Sequence, residues 1–175
     1  MKKLLLATVL LISSVAVSFS QDKTENFKVV WPKEYKWKKG TDQDDKSIHM
    51  VEIVPEKETV DKWTLLGTMI TIKGVTNSSV NDFMNTVYEE FKKNSPAAKL
   101  TMIEKDDKAK HNWILFKIEA PGFITDKTPE SDLFYIIQGE TCLFTNCIAT
   151  KEKSLSKSFF EKWSKVFKTS ELVYE

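Results

Sequence analysis

One five-residue stretch constrains this chain more than any other. Leu133-Phe134-Tyr135-Ile136-Ile137 is apolar at every position, so an extended backbone there points large side chains to both sides at once. Only a strand in the middle of a sheet, covered above and below, buries both rows. Two other segments have the stripes to do the covering. Val80, Phe83, Met84, Val87 and Phe91 recur at helical spacing, with Asn77-Ser78-Ser79 ahead to cap and Asn94-Ser95-Pro96 behind to stop. Phe159, Phe160, Trp163, Val166 and Phe167 repeat the pattern with aromatic rings, after a serine-containing stretch at 154–158 that can cap. The expected class is α+β, a mostly antiparallel sheet with two main helices packed against it.

The other segments supply strands. Residues 21–32, with Phe27, Val29, Val30 and Trp31 ahead of Pro32, suggest an extended segment on the domain edge. Residues 34–39 and 47–54 read as a hairpin around a polar turn at 40–45, followed by a single helical turn at 59–63 and a strand at 65–73. A second hairpin joins 100–104 to 111–120 through a charged turn, and a third joins 133–138 to 142–150. About seven strands result, with no repeat or low-complexity linker to divide them.

The chain has 175 residues. Residues 1–20 read as a signal peptide: Lys2 and Lys3, an apolar run from 4 to 17, then Ser18-Phe19-Ser20 before Gln21. Cleavage there leaves one domain, 21–175, expected to be exported, periplasmic or secreted, and soluble. The apolar run is short for a bilayer span, so no membrane insertion is expected. All 26 cationic side chains are lysines, which excludes bidentate guanidinium grips on phosphate or carboxylate. Losing Lys2 and Lys3 leaves acids one ahead of lysines, a balance with no field to recruit nucleic acid. Cys142 and Cys147 lie on one expected strand, where a spacing of five puts the side chains on opposite faces about 16 Å apart. Buried free thiols are expected, with a loop disulfide as the alternative.

Catalytic signatures are missing from the sequence. His49 and His111 have no partner motif, and no G-x-S-x-G, H-E-x-x-H or cysteine-nucleophile pattern accompanies them. An EF-hand template started at Asp42 puts Lys46 at position five, Ser47 where glycine belongs and Ile53 where the bidentate glutamate belongs, so no metal is expected. Lys33, Lys36, Lys38 and Lys39 interleave with Tyr35 and Trp37, but strand parity separates the rings from Lys36 and Lys38. The segment 121–129 is the one long connection that holds apolar side chains, Phe123 and Ile124, and loops of this kind are disproportionately functional. Phe123, Ile124 and Trp37 are the candidate binding residues.

Val54-Pro55-Glu56-x-Glu58-Thr59-Val60-x-x-Trp63 ahead of a strand, the Leu133-Phe134-Tyr135-Ile136-Ile137-Gln138-Gly139 hairpin and the aromatic last helix together resemble exported bacterial proteins of the Mog1/PsbP-like class. The resemblance spans most of residues 34–169 and its motifs are structural. It implies a three-layer α/β/α sandwich used for binding and accessory roles, and it brings neither the GTPase contact of one branch nor the photosystem role of the other. The expected function is therefore an exported, non-enzymatic binding or accessory domain without a cofactor, presenting an apolar surface to a protein or small ligand. The alternatives are a hydrolase with an unrecognised acid pair and a self-associating component of the cell envelope.

Overall fold

The computed structural model describes residues 24–175; the expected signal peptide lies outside them. In chain order the elements are β1 (Glu25–Lys28), a 3-10 turn (Lys33–Tyr35), β2 (Trp37–Asp44), β3 (Ile48–Pro55), β4 (Leu65–Lys73), α1 (Val80–Asn94), β5 (Lys99–Asp106), β6 (Trp113–Ala120), β7 (Glu130–Gln138), β8 (Cys142–Thr150), α2 (Lys157–Lys168) and β9 (Glu171–Tyr174). Seven strands form the central sheet in the order β2-β3-β4-β8-β7-β6-β5, and β1 pairs with β9 in a separate two-stranded sheet. Every pairing among these strands is antiparallel. The chain is an α+β domain with two helices on a mostly antiparallel central sheet.

The doubly apolar strand behaves as its sequence requires. Leu133, Tyr135 and Ile137 of β7 pack with Trp163 and Phe167 of α2. Phe134 and Ile136, pointing the other way, pack with Val80 and Met84 of α1. Trp163 and Phe167 are completely buried, and truncating a core aromatic of that kind costs about 3–5 kcal/mol. Both helices begin at serine caps: Ser79 Oγ accepts from Asp82 N and Ser156 Oγ from Phe159 N, each at 3.2 Å. The cysteines are free, with Cys142 in the α2 cluster and Cys147 in the α1 cluster.

Several local expectations are corrected. The segment 40–45 is strand up to Asp44; the turn is confined to Asp45-Lys46-Ser47, where the Asp45 carboxylate accepts from Ser47 N and Ile48 N at 2.7 and 2.8 Å. A bulge between Lys39 and Thr41 absorbs Gly40, whose position has room for no side chain because a Cβ there would lie 2.5 Å from Val60 Cγ1. Tyr35 belongs to the 3-10 turn, and Lys36 after it is left-handed at φ 48°. Residues 59–63 form a bridged turn, Thr59 opposite Lys62, whose neighbour Glu58 accepts from Thr64 N and Oγ1. Val30 is 68 % exposed, whereas its neighbours Val29 and Trp31 pack against the α2-side cluster.

The small sheet is tied to the large one by the Phe27 ring, which packs on Tyr135 and Phe144, and by one carboxylate. Glu25, 5 % exposed, accepts from the backbone N–H groups of Glu140, Thr141 and Cys142 at 2.7, 2.9 and 3.2 Å, and from the hydroxyls of Thr141 and Tyr174 at 3.2 and 3.3 Å. Gly139 leaves the space it needs, since a Cβ there would lie 2.5 Å from Glu25 Cδ.

Candidate functional site

The α1 face of the sheet carries a hollow whose origin is the size of its side chains. Toward α1, β8 presents Leu143, Thr145, Cys147 and Ala149, three small residues after one large one. The register sets them in rows with their neighbours: Leu66, Ala149 and Asp132 across β4, β8 and β7, then Thr68, Cys147 and Phe134, then Ile70 and Thr145. α1 packs over β6 and β7, so its flank stands beside the small residues of β8 and not over them. The space left is about 190 Å³, walled by Phe91 of α1, whose ring meets Phe134 edge-on at 6.1 Å.

Polar groups are set into this apolar wall. Asp132 is 3 % exposed; its Oδ1 accepts from the Cys147 thiol at 3.6 Å, while Oδ2 has no partner among the described residues. Thr145 Oγ1 is likewise buried and unpartnered. Burial, reinforced by the neighbouring Glu130 charge, pushes Asp132 well above the usual carboxylate range and favours its neutral form. Burial also pushes the Cys147 thiol up, with Asp132 and Glu130 adding to it. Glu130 itself pairs with Lys151 at 2.5 Å, and that ammonium also sits 3.8 Å from the Trp63 ring centroid. One carboxyl oxygen of Asp132 and the Thr145 hydroxyl, both unpartnered among the described residues, form a hydrogen-bonding floor in a hollow lined by Leu66, Ile70, Phe91 and Phe134.

The candidate residues named from sequence are not brought together. Phe123 packs against Phe91 with ring centroids 6.4 Å apart, so it buttresses the outer side of the hollow's wall. Ile124 is 61 % exposed, and its N–H donates to Asn94 O at 2.8 Å, clipping the loop to the end of α1. Trp37 lies with the opposite, α2 cluster: its Nε1 donates to Pro32 O at 2.9 Å and its ring meets Trp31, Tyr35 and Trp163. Trp37 is a packing residue and takes no part in a surface shared with Phe123. His49 pairs with Asp42 at 2.9 Å on β3, while His111 meets Gln138 O at 3.2 Å ahead of β6, with β4, β8 and β7 between those strands.

His111 lines a larger cleft of about 540 Å³ with Asn77, Lys110 and Glu140. Its charges are met locally, Lys110 by Glu140 and Lys105 by Asp107, and Gln138 spends both amide atoms on backbone. That cleft offers no stranded polar group. Among the described residues no cluster of three or more His, Cys, Asp or Glu side chains is placed to hold a metal ion. Asp132 was the residue that sequence reasoning passed over, although a signal was present. It shares parity with Phe134 and Ile136 on a strand read as buried on both faces, which places an acid in the core.

Compared with models of known protein families the chain matches none, and no curated protein matches it.

Proposed function

We propose that this chain is an exported binding domain without catalytic activity, folded as the three-layer α/β/α sandwich of the Mog1/PsbP-like class, and that it takes a small apolar molecule into the hollow beside α1. One observation supports this above the others: Asp132 is almost wholly buried, yet one of its oxygens has no partner among the described residues, beside a hollow lined by Leu66, Ile70, Phe91 and Phe134. Leaving a buried polar group unpaired costs about 1–3 kcal/mol. A ligand with a matching polar atom relieves that cost, and a neutral Asp132 offers it a hydrogen to accept. An apolar cavity of about 150 Å³ accommodates benzene, so the 190 Å³ here suits one ring with one polar substituent.

Benzyl alcohol is a suitable probe. Titrated into isotopically labelled protein, it should shift the backbone amides of Thr68, Thr145 and Cys147 and leave those of the His111 cleft in place, and Asp132→Leu should remove the response. An unperturbed spectrum up to the solubility limit of the alcohol would count against the reading.

A hydrolase is the second reading, favoured by Glu130 and Asp132 lying two apart on one strand face of the same hollow. The Lys151 partner of Glu130 and the neutral tendency of Asp132 suit binding better than proton abstraction. Turnover of chromogenic esters or glycosides that disappears in Asp132→Asn would reverse the order.

A further inference from the structure

We infer that the opposite face of β8 holds a second binding site, for a compact apolar molecule carrying a carbonyl-type oxygen, either a carboxylate or an amide. Asn146 follows Thr145 in β8 and therefore points to the α2 side. It is 2 % exposed, between Phe144 and Ile148 along its own strand and opposite Met69 of β4 and Tyr135 of β7. A packing role there calls for an aliphatic side chain, and a buried amide is retained where it has something to bond. Its Nδ2 has no partner among the described residues.

Asn146 lines a cavity of about 290 Å³ between the sheet and the backbone around β1, together with Phe27, Trp31, His49, Met69 and Phe144. Trp31 contributes a second buried, unpartnered group, its Nε1. An indole N–H and an amide NH2 both donate and accept nothing, so the complementary ligand atom is an acceptor. The indole and the Phe27 and Phe144 rings suit a flat apolar body. No acid lines the cavity, whereas Lys28, which makes no ion pair among the described residues, does. That charge favours a carboxylate over an amide. His49 uses Nε2 on Asp42 and keeps Nδ1 unbonded within the same lining.

Benzoate, benzamide and toluene separate the possibilities, read through the nitrogen-15 signals of the Trp31 indole and the Asn146 side chain. Benzoate should move both signals, benzamide should move them with weaker affinity, and toluene should bind at least tenfold more weakly than either. Asn146→Leu keeps the branching and the number of side-chain heavy atoms and should weaken benzoate about tenfold, the factor for one buried hydrogen bond. Asp132→Leu should leave benzoate binding unchanged, because Asp132 lines only the α1-side hollow; the two sites have Ile70 of β4 in common and otherwise draw on different residues of β4 and β8. The inference fails if neither N–H responds to benzoate or benzamide, if toluene binds as well as they do, or if a slowly exchanging water contacts both groups and is not displaced. The wild-type titration decides the matter even if Asn146→Leu does not fold.

Discussion

Replacing Glu25 by Gln isolates the polar tie between the small sheet and the large one. In the wild type Oε1 takes the Glu140 N–H at 2.7 Å, and Oε2 takes those of Thr141 and Cys142 at 2.9 and 3.2 Å. A glutamine keeps one oxygen and turns an NH2 group toward the remaining donors. Hydrogen bonds to a charged group contribute about 1.5–3 kcal/mol each and neutral ones about 0.5–1.5, so losing the Glu140 bond and the charge on the acceptor of the other two, with partial relaxation, should cost about 3 kcal/mol. With a urea slope of about 2 kcal/mol/M the unfolding midpoint should fall by about 1.5 M. Trp31 and Trp163, in the α2 cluster, supply the fluorescence signal.

The same bonds fix the pH dependence. Burial pushes the Glu25 carboxyl up, but the Thr141 and Glu140 donors outweigh it and hold the group below its ordinary 4.5. A depressed native pKa contributes stability that is complete above the unfolded value and lost as pH falls through the folded one. The gap between wild type and Glu25→Gln should therefore be widest near neutrality and close as the medium is acidified below about 4.5. Gly139→Ala, whose added Cβ would displace the same carboxylate, should mimic the loss, and the double variant should lose little more than either single one. A midpoint unchanged at neutral pH, a gap that does not vary with pH, or additive single effects would refute the reasoning.

Phe123→Ser should cost about 1–2 kcal/mol because it removes the ring behind Phe91, whereas Ile124→Ser should stay within about 0.5 kcal/mol, both measured by urea unfolding. Neither thiol should react with a colorimetric disulfide reagent until denaturant is added, and the protein's mass should be the same with and without reductant; rapid labelling of the native protein would contradict the burial of Cys142 and Cys147. Asp132→Asn should melt higher than wild type near pH 7. The raised native pKa of Asp132 makes the wild type lose stability as pH climbs above 3.8 toward the folded value, a decline that asparagine does not share. Thermal melts across the acid-to-neutral range test this, and a variant no more stable at neutral pH would contradict it.

Periodicity carried the reading of the sequence wherever a whole face is apolar. The β7 run, both helical stripes and both serine caps lie where local pattern places them, because each is a one-dimensional signal that burial enforces. The residues that failed depend on distant partners. β9 is a four-residue strand defined by its pairing with β1, and nothing within Glu171–Tyr174 announces it. Gly40 reads as a turn glycine, yet it is a strand residue that makes way for Val60. Trp37 looked available because the sequence does not reveal that Pro32, Tyr35 and Trp163 close around it. The hollow was hardest to see, since it arises from small residues on β8 facing β4 and β7 partners that only the strand order brings beside them.

The pairing of β1 with β9 also decides how this molecule can be held. Thr24 N donates to Glu175 O at 2.7 Å and Glu175 N returns a bond to Thr24 O at 3.1 Å, so the first and last of the described residues lie side by side on the α2 side. A tag, dye or surface linker joined beside Thr24 or Glu175 is attached on the α2 side, away from the α1 hollow. A short peptide joining Glu175 to Thr24 would close the chain into a ring, and new ends cut at the Asp45-Lys46-Ser47 turn would give a rearranged chain with the same sheet.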